Sequence, residues 1–323
     1  MIDWQLREVP LKFGIGDRIL MTHTLPLQVF SVKLADAGTP ADAGQAPGDP
    51  LLPGSQGYYC RALPIAEALP RRSRIGDWVR YVTAEYVHCY IDMSCGLEAY
   101  RAKFSSKTRS TINRKLRKFQ DHCQGKLDWR VYDRADQMPD YYRLARQVST
   151  RTYQEKLLDA GMPAEPGYLA ELIEEASQQR VRGYLLFDGE QPVAYLHCPI
   201  RDDSYVYAYL GYDPDYMKLS VGTVLQWLAL EDLFGRPAAR FFDFTEGQSE
   251  HKRLFATHER RCANVMFVRA TPINRLWLGL HGMAQDASSG LGRLAERLGL
   301  KARVRRLLRF GFVRPGAMKS NDS

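Results

Sequence analysis

An α+β fold built on a mixed, mostly antiparallel sheet flanked by helices is predicted by three features of this 323-residue sequence. Residues 182–187, 192–200 and 205–212 read as strands joined by tight turns at Asp188-Gly189 and Asp202-Asp203, which is the pattern of an antiparallel meander. A helix over residues 220–234 then separates the third of these strands from another at 240–244. A strand-helix-strand unit of this kind places its two strands parallel. Helical periodicity upstream of the meander supplies the flanking layer.

Taken in order, residues 4–9 and 25–34 have strand character, the second alternating through Leu27, Val29, Ser31 and Lys33. Residues 35–57 hold 14 Ala, Gly or Pro among 23 and predict a flexible loop or linker. Strand character resumes at 78–90 with Val79, Tyr81, Val87 and Tyr90. A helix is predicted over 104–121 from Phe104, Ile112, Leu116 and Phe119, which fall on one stripe with Arg109, Arg114, Arg117 and Lys118 off it. A short strand at 126–132 follows, then helices at 138–158 and 167–179, the latter with Leu169, Leu172, Ile173 and Ala176 facing inward. After the meander come a last strand at 263–268 and helical segments over 273–310. The expected organisation is a β-containing region at 1–94, a main domain at 95–270, and a basic helical extension at 271–323.

The net charge of +8 is concentrated in two places. Residues 101–118 carry eight basic side chains and no acid, residues 301–314 carry six and no acid, and the rest of the chain is net negative. Each run is either a face turned toward anions or a membrane, or a solvated helix face. The C-terminal helical segments, where Leu294, Leu298, Val304, Leu307 and Leu308 alternate with arginines, can lie peripherally on the inner membrane or pack on their own domain. The six cysteines are widely spaced with no CxxC pair, and the seven histidines are isolated from one another, so neither a metal site nor a disulfide framework is expected. No leading apolar segment or run long enough to span a membrane is present, which makes a cytoplasmic location the expectation.

The segment from Tyr209 to Leu225 is the most informative. An aromatic strand breaks into a loop, and a small-residue turn then opens a helix predicted to be amphipathic, with Val221, Val224, Leu225 and Leu228 on one face. Free N–H groups at such a start suit a phosphate, and Gly222 leaves room for a ligand. Many such junctions bind nothing, so the turn needs support from elsewhere in the chain.

That support is a resemblance. Phe104-Ser-Ser-Lys-Thr-Arg-Ser-Thr-Ile-Asn-Arg-Lys-Leu-Arg-Lys118, the block from Gly211-Tyr-Asp-Pro-Asp-Tyr through Leu219-Ser-Val-Gly222, and Phe242-Asp-Phe-Thr-Glu-Gly247 followed by His251-Lys252 occur in that order. Over roughly residues 95–270 the pattern resembles the GNAT superfamily of N-acyltransferases, in the branch of CelD-like polysaccharide-biosynthesis proteins related to the Fem aminoacyl transferases. Two positions depart from it: Val221 stands where the branch usually has proline, and His251 where it usually has tyrosine. The resemblance implies a GNAT fold in which a splayed pair of parallel strands admits acetyl-CoA or a longer acyl-CoA. It implies that residues 218–223 hold the pyrophosphate through the N–H groups of Val221, Gly222 and Thr223, with Ser220 at the turn and Lys218 as charge partner. It also implies that Leu210, Gly211 and Tyr212 pair with the pantetheine amides, and that residues 1–94 are either a degenerate GNAT half or a simple extension.

Acyl transfer to an amine needs a proton acceptor for the amine and a proton donor for the thiolate. Asp243 and Glu246 are the candidate bases, since the strand at 240–244 ends beside the acyl-carrying strand. Asp243 alternates with Phe242 and Phe244 and so points away from them, where it acts as base or merely caps or pairs with an arginine. Tyr212 is a candidate acid. Lys252 either binds an acidic acceptor or pairs with Asp243. Arg109, Arg114 and His251 are candidates for acceptor binding. A cysteine nucleophile is disfavoured, because Cys198 lies in a core strand and Cys262 lacks a neighbouring base; His197 reads as a core histidine.

The expected activity is N-acylation of an amino sugar, amino acid or other small amine, in envelope or exopolysaccharide synthesis, with an acidic acyl carrier protein as an alternative donor. Two other classes stay open: a Fem-like transferase drawing on charged tRNA, and a non-enzymatic membrane- or nucleic-acid-binding protein. No signature of dedicated nucleic-acid reading is present.

Overall fold

The computed structural model describes residues 3–15, 18–36, 43–152, 161–236, 238–247 and 249–297. The chain divides into two compact units: Met1–Val32, Ala37–Glu85 and Cys262–Ser323 form the first, and Lys33–Asp36 with Tyr86–Arg261 form the second.

In the first unit, β1 (Gln5–Ile15) and β2 (Arg18–Ser31) make an antiparallel hairpin, and their alternation buries Val9, Leu11, Leu25 and Leu27 on one face. β2 is longer than its apolar run suggests and pairs in parallel with β3 (Gly57–Pro64), while β4 (Arg72–Ile75) folds back on the start of β5 (Trp78–Asp92). Neither β3 nor β4 is legible in the sequence. The Ala/Gly/Pro-rich segment before them is not a free linker over its described residues. The fully buried Gln28 side chain accepts from Leu52 N–H at 2.8 Å, Gln56 N–H donates to Pro26 O at 2.8 Å, and the Tyr58 hydroxyl donates to Asp49 O. Buried side-chain partners satisfy this backbone where secondary structure cannot.

The second unit opens with the latter part of β5 and continues through α1 (Gly96–Ala102), α2 (Ser106–His122), β6 (Asp128–Tyr132), α3 (Met138–Ser149) and α4 (Tyr168–Ser177). Ser105 caps α2 by accepting from Thr108 N–H at 3.2 Å, which starts the helix two residues after Phe104. The helix predicted over 138–158 ends at Ser149, and its residues 153–158 lie outside the described ones. Next come β7 (Val181–Asp188), β8 (Gln191–Arg201), β9 (Ser204–Val206), β10 (Tyr209–Tyr212), α5 (Val221–Phe234), β11 (Phe241–Asp243) and α6 (Glu250–Phe255).

Within this unit the strand order is β5-β11-β9-β8-β7-β6, with β10 also on β8. All these pairings are antiparallel except β9 with β11, which is parallel as the strand-helix-strand unit requires. The sheet is therefore mixed, and helices cover both its faces. Tyr184, Leu186 and Leu196 pack in one core with α5, whereas Leu185, Phe187 and Tyr195 pack in another under α3 and α4. Burial on both faces makes β7 and β8 continuous apolar runs.

Two expectations change here. The strand predicted over 205–212 is two strands, broken at Tyr207 and Ala208, where Ala208 N–H meets both Val206 O (2.8 Å) and His197 O (3.2 Å). The helix after Ser220 is not amphipathic: Val221, Gly222, Gln226 and Leu230 are buried on every side of it, because α5 lies between the sheet and the layer of α1 and α2.

The chain returns to the first unit through β12 (His258–Arg269), whose residues 262–268 pair with β3, and α7 (Pro272–Arg297). This helix packs on β1, stacks Trp277 on His23 at 4.2 Å, and receives the Tyr81 hydroxyl at His281 Nδ1 (2.6 Å). The basic run at 301–314 lies outside the described residues.

Candidate active site

The second unit contains a cleft of about 420 Å³ where β10 meets the start of α5. Parallel pairing of β9 with β11 ends at a bond from Tyr207 N–H to Asp243 O (2.8 Å). Beyond it β10 stays with β8, and among the described residues no strand pairs with its other edge. The two strands therefore part at Tyr207 and Asp243, which leaves main-chain groups of β10 available to a ligand.

A 3₁₀ turn (Pro214–Leu219), capped by the buried Asp213, leads to Ser220 in the left-handed conformation (φ 56°). That residue reverses the chain into α5. Ser220 O accepts from Thr223 N–H (2.9 Å) and Val224 N–H (3.1 Å), so of the three donors expected in the turn Thr223 is already used. The N–H groups of Val221 and Gly222 have no acceptor among the described residues and suit an anion at the positive end of the helix. Gly222 lines the cleft, and packing gives its small size a second reason. A Cβ there would stand 3.1 Å from Tyr212 Cδ1 and 3.2 Å from Leu210 Cδ2, so the missing side chain lets α5 close on β10.

Leu210, Tyr212, Ser220, Val221, Gly222, Thr223, His251 and Lys252 all line the cleft, together with Tyr207, Met217 and Ser249. Gly211 faces the other side, where a Cβ would fall 2.3 Å from Tyr195 Cε1. Lys218 and Glu246 are exposed and contribute backbone: their carbonyls accept from Lys118 Nζ and Lys252 Nζ, each at 2.9 Å. Arg109 and Arg114 are exposed on α2 and do not line the cleft. The residues of that helix reaching the turn are Lys115, 3.5 Å from Thr223 Oγ1, and Lys118. Helical phase explains this, since Lys115 and Lys118 lie three apart on the side of α2 turned to the 3₁₀ segment, a position that only the packing of α2 on α5 defines.

His251 Nε2 lies 2.6 Å from Gln226 Oε1; because the amide oxygen can only accept, Nε2 carries the proton and donates it. Burial, and then the Lys115 charge, lower the pKa of this histidine, which leaves Nδ1 as an acceptor in the neutral ring. Burial likewise lowers the pKa of Lys252, against the opposing pull of Cys89, Asp243 and Glu246. Desolvation raises the Tyr207 hydroxyl well above its ordinary value.

Asp243 stands at the strand parting, turned away from Phe242 and Phe244 in the core as its alternation predicts, and its carboxylate meets a residue the sequence reading missed. His88 Nε2 lies 2.5 Å from Asp243 Oδ1, which also accepts Thr245 N–H at 2.6 Å. Arg260 Nη2 approaches His88 Nδ1 at 3.4 Å. A guanidinium only donates, so Nδ1 accepts and Nε2–H points to Asp243. Oδ2 has no partner among the described residues. The signal for His88 was the alternation of Tyr86, His88 and Tyr90 in β5. Its meaning depends on the register that pairs Tyr90 with Asp243, which is long-range in sequence.

His197 is a core residue, 2% exposed between Tyr141 and Tyr209, with Nδ1 lacking a partner among the described residues. Cys198 is fully buried and its thiol is pushed up by desolvation, opposite to what a nucleophile needs. Among the described residues no group of three or more His, Cys, Asp or Glu side chains could hold a metal ion.

No curated protein sequence matches this chain. Among solved structures it is similar to FemX (9% identity, TM-score 0.48, 84% of this chain and 90% of that one). It is also similar to the C-terminal DUF2156 domain of a putative lysylphosphatidylglycerol synthetase from Agrobacterium fabrum (13%, 0.43, 62% and 65%). A third is a GCN5-related N-acetyltransferase from Kribbella flavida (12%, 0.32, 60% and 62%). The chain spans just under two thirds of the length of the last two. Residues 106–253, which hold α2, the strand parting, the α5 turn, Asp243 and Lys252, match the model of the acetyltransferase (GNAT) domain family.

Proposed function

We propose that this protein transfers an acyl group from an acyl-CoA thioester to the amine of a small acceptor such as an amino sugar or amino acid. The observation that carries the reading is the parting of β10 from β11 beside a helix start with unused N–H groups at Val221 and Gly222. These features fit the donor: the N–H pair and the neighbouring Lys115 would hold its pyrophosphate, and the open edge of β10 at Leu210 and Tyr212 would hold its amide-bearing arm. Bound there, the thioester supplies an activated acyl group. The protein's own part is proton handling. His88 Nε2–H and Thr245 N–H hold one oxygen of Asp243 and leave Oδ2 to take a proton from the acceptor ammonium. Tyr212, on the cleft wall, would return a proton to the leaving sulfur. Lys252, whose charged form is disfavoured by burial, would contribute to acceptor binding. The likeness to CelD-like proteins favours an acceptor in envelope or exopolysaccharide synthesis, and a carrier-protein thioester is a variant donor.

The test is a thermal-shift panel with CoA and acyl-CoAs of increasing chain length. A ligand at 100 times its Kd stabilises the fold by about 2.7 kcal/mol, a readily measured rise in Tm. The preferred acyl length appears as the largest rise, and a flat response across CoA, acyl-CoAs and an acyl carrier thioester refutes the proposal.

A further inference from the structure

Within the first unit, α7 has two faces. Leu278 and the partly buried Trp277 and Ala284 pack with Val9, Leu11 and Phe13 of β1. The other face exposes Ile273, Leu276, Leu280, Met283 and Leu291, at 39–63% of their surface and at helical spacing. A contiguous exposed apolar stripe of this kind marks an interaction surface. Arginines flank it. Arg72, Arg74 and Arg275 line clefts of about 450 and 550 Å³ together with Leu276. Arg71 is paired with Asp286, whereas none of the other three has an acidic partner among the described residues.

Charge selects the occupant. A second copy docked face to face would set these arginines against their own equivalents. The chain's own residues 301–314, with six basic groups and no acid, would be repelled by the same cluster. An anionic surface attracts both the cluster and that run. No described helix is long and apolar enough to cross a bilayer, so α7 would lie in its plane. We propose that α7 docks the protein on an anionic phospholipid bilayer, with Leu276, Leu280 and Met283 entering the acyl boundary and Arg72, Arg74 and Arg275 at the phosphate level. This surface lies outside the acyltransferase cleft and does not depend on that reading.

The full chain is sedimented with vesicles of phosphatidylglycerol and phosphatidylcholine, and with phosphatidylcholine alone. Binding is expected only to the first and is lost near ~0.5 M NaCl. Arg72→Glu/Arg275→Glu and Leu276→Ser/Met283→Ser should each weaken it by about tenfold or more, with Tm retained because every substituted side chain is exposed. Arg303→Glu/Arg306→Glu in the C-terminal run serves as the control. The proposal is overturned if this control alone abolishes binding while the α7 variants bind normally. Salt-insensitive or lipid-independent sedimentation also overturns it, as does light scattering that shows a dimer dissociated by Leu276→Ser/Met283→Ser without vesicle binding. The salt and lipid dependence of the unaltered chain decides the matter should a variant fold poorly.

Discussion

Replacing Asp243 with asparagine separates the proton-accepting role of this residue from its structural one. The amide oxygen of the introduced side chain can still accept His88 Nε2–H and Thr245 N–H, so both bonds now made at 2.5 and 2.6 Å persist as neutral ones. Hydrogen bonds to a charged group contribute about 1.5–3 kcal/mol and neutral ones about 0.5–1.5, so converting both bonds costs on the order of 2–3 kcal/mol of stability. At about 2–4 °C per kcal/mol for a domain of about this unit's size, Tm should fall by roughly 4–12 °C and the protein stay folded. Chemistry should suffer far more. A positioned base contributes about 10²–10⁴-fold, and asparagine cannot take the ammonium proton. The assay follows CoA thiol release over a panel of amines, with donor affinity measured separately by calorimetry. Asp243→Asn is expected to lower kcat by at least about 100-fold with donor affinity unchanged. His88→Ala, which removes the oriented N–H but leaves the carboxylate, should lose less. If Asp243→Asn keeps kcat within about threefold of the unaltered protein, the carboxylate is not the base and its bonds to His88 and Thr245 are only structural.

Two further outcomes follow from the packing around β10. Gly211→Ala drives a methyl into the Tyr195 ring, whose hydroxyl is tied to Ser149 Oγ at 3.2 Å and which is 1% exposed. An overpacking cost of about 1–3 kcal/mol should appear as a lower calorimetric Tm, and a Tm unchanged within error would show that the ring yields freely. His197, buried beside Tyr141 and Tyr209, has its pKa lowered from 6.5 to about 3 by desolvation. The unfolded chain takes up a proton below its ordinary pKa while the folded one does not, so the stability present above pH 6.5 is lost as pH falls toward 3. By about pH 5 the loss is about 2 kcal/mol. His197→Gln should flatten the fall in urea-unfolding stability between about pH 7 and about pH 5, and an unaltered slope would assign it to other groups.

The sequence by itself determined the local features of this protein. The Asp-Gly hairpin of β7 and β8, the helix after Ser220 and the outward turn of Asp243 follow from turn chemistry and from alternation, which act over a few residues. The blocks around 104–118, 211–222 and 242–252 carried the GNAT resemblance for the same reason. What only the tertiary structure decided depends on partners distant in the chain. β3 and β4 are strands because β2, β5 and β12 pair with them. Tyr205 to Tyr212 splits because β11 holds its first part and β8 alone its last. His88 becomes the partner of Asp243, 155 residues away, through the register of β5 on β11, and Lys115 rather than Arg114 reaches the turn through the packing of α2 on α5. Propensity and periodicity describe which way a side chain leaves its own backbone. Which group it then meets is set by sheet register and helix packing, and in this protein those choices assemble the candidate site.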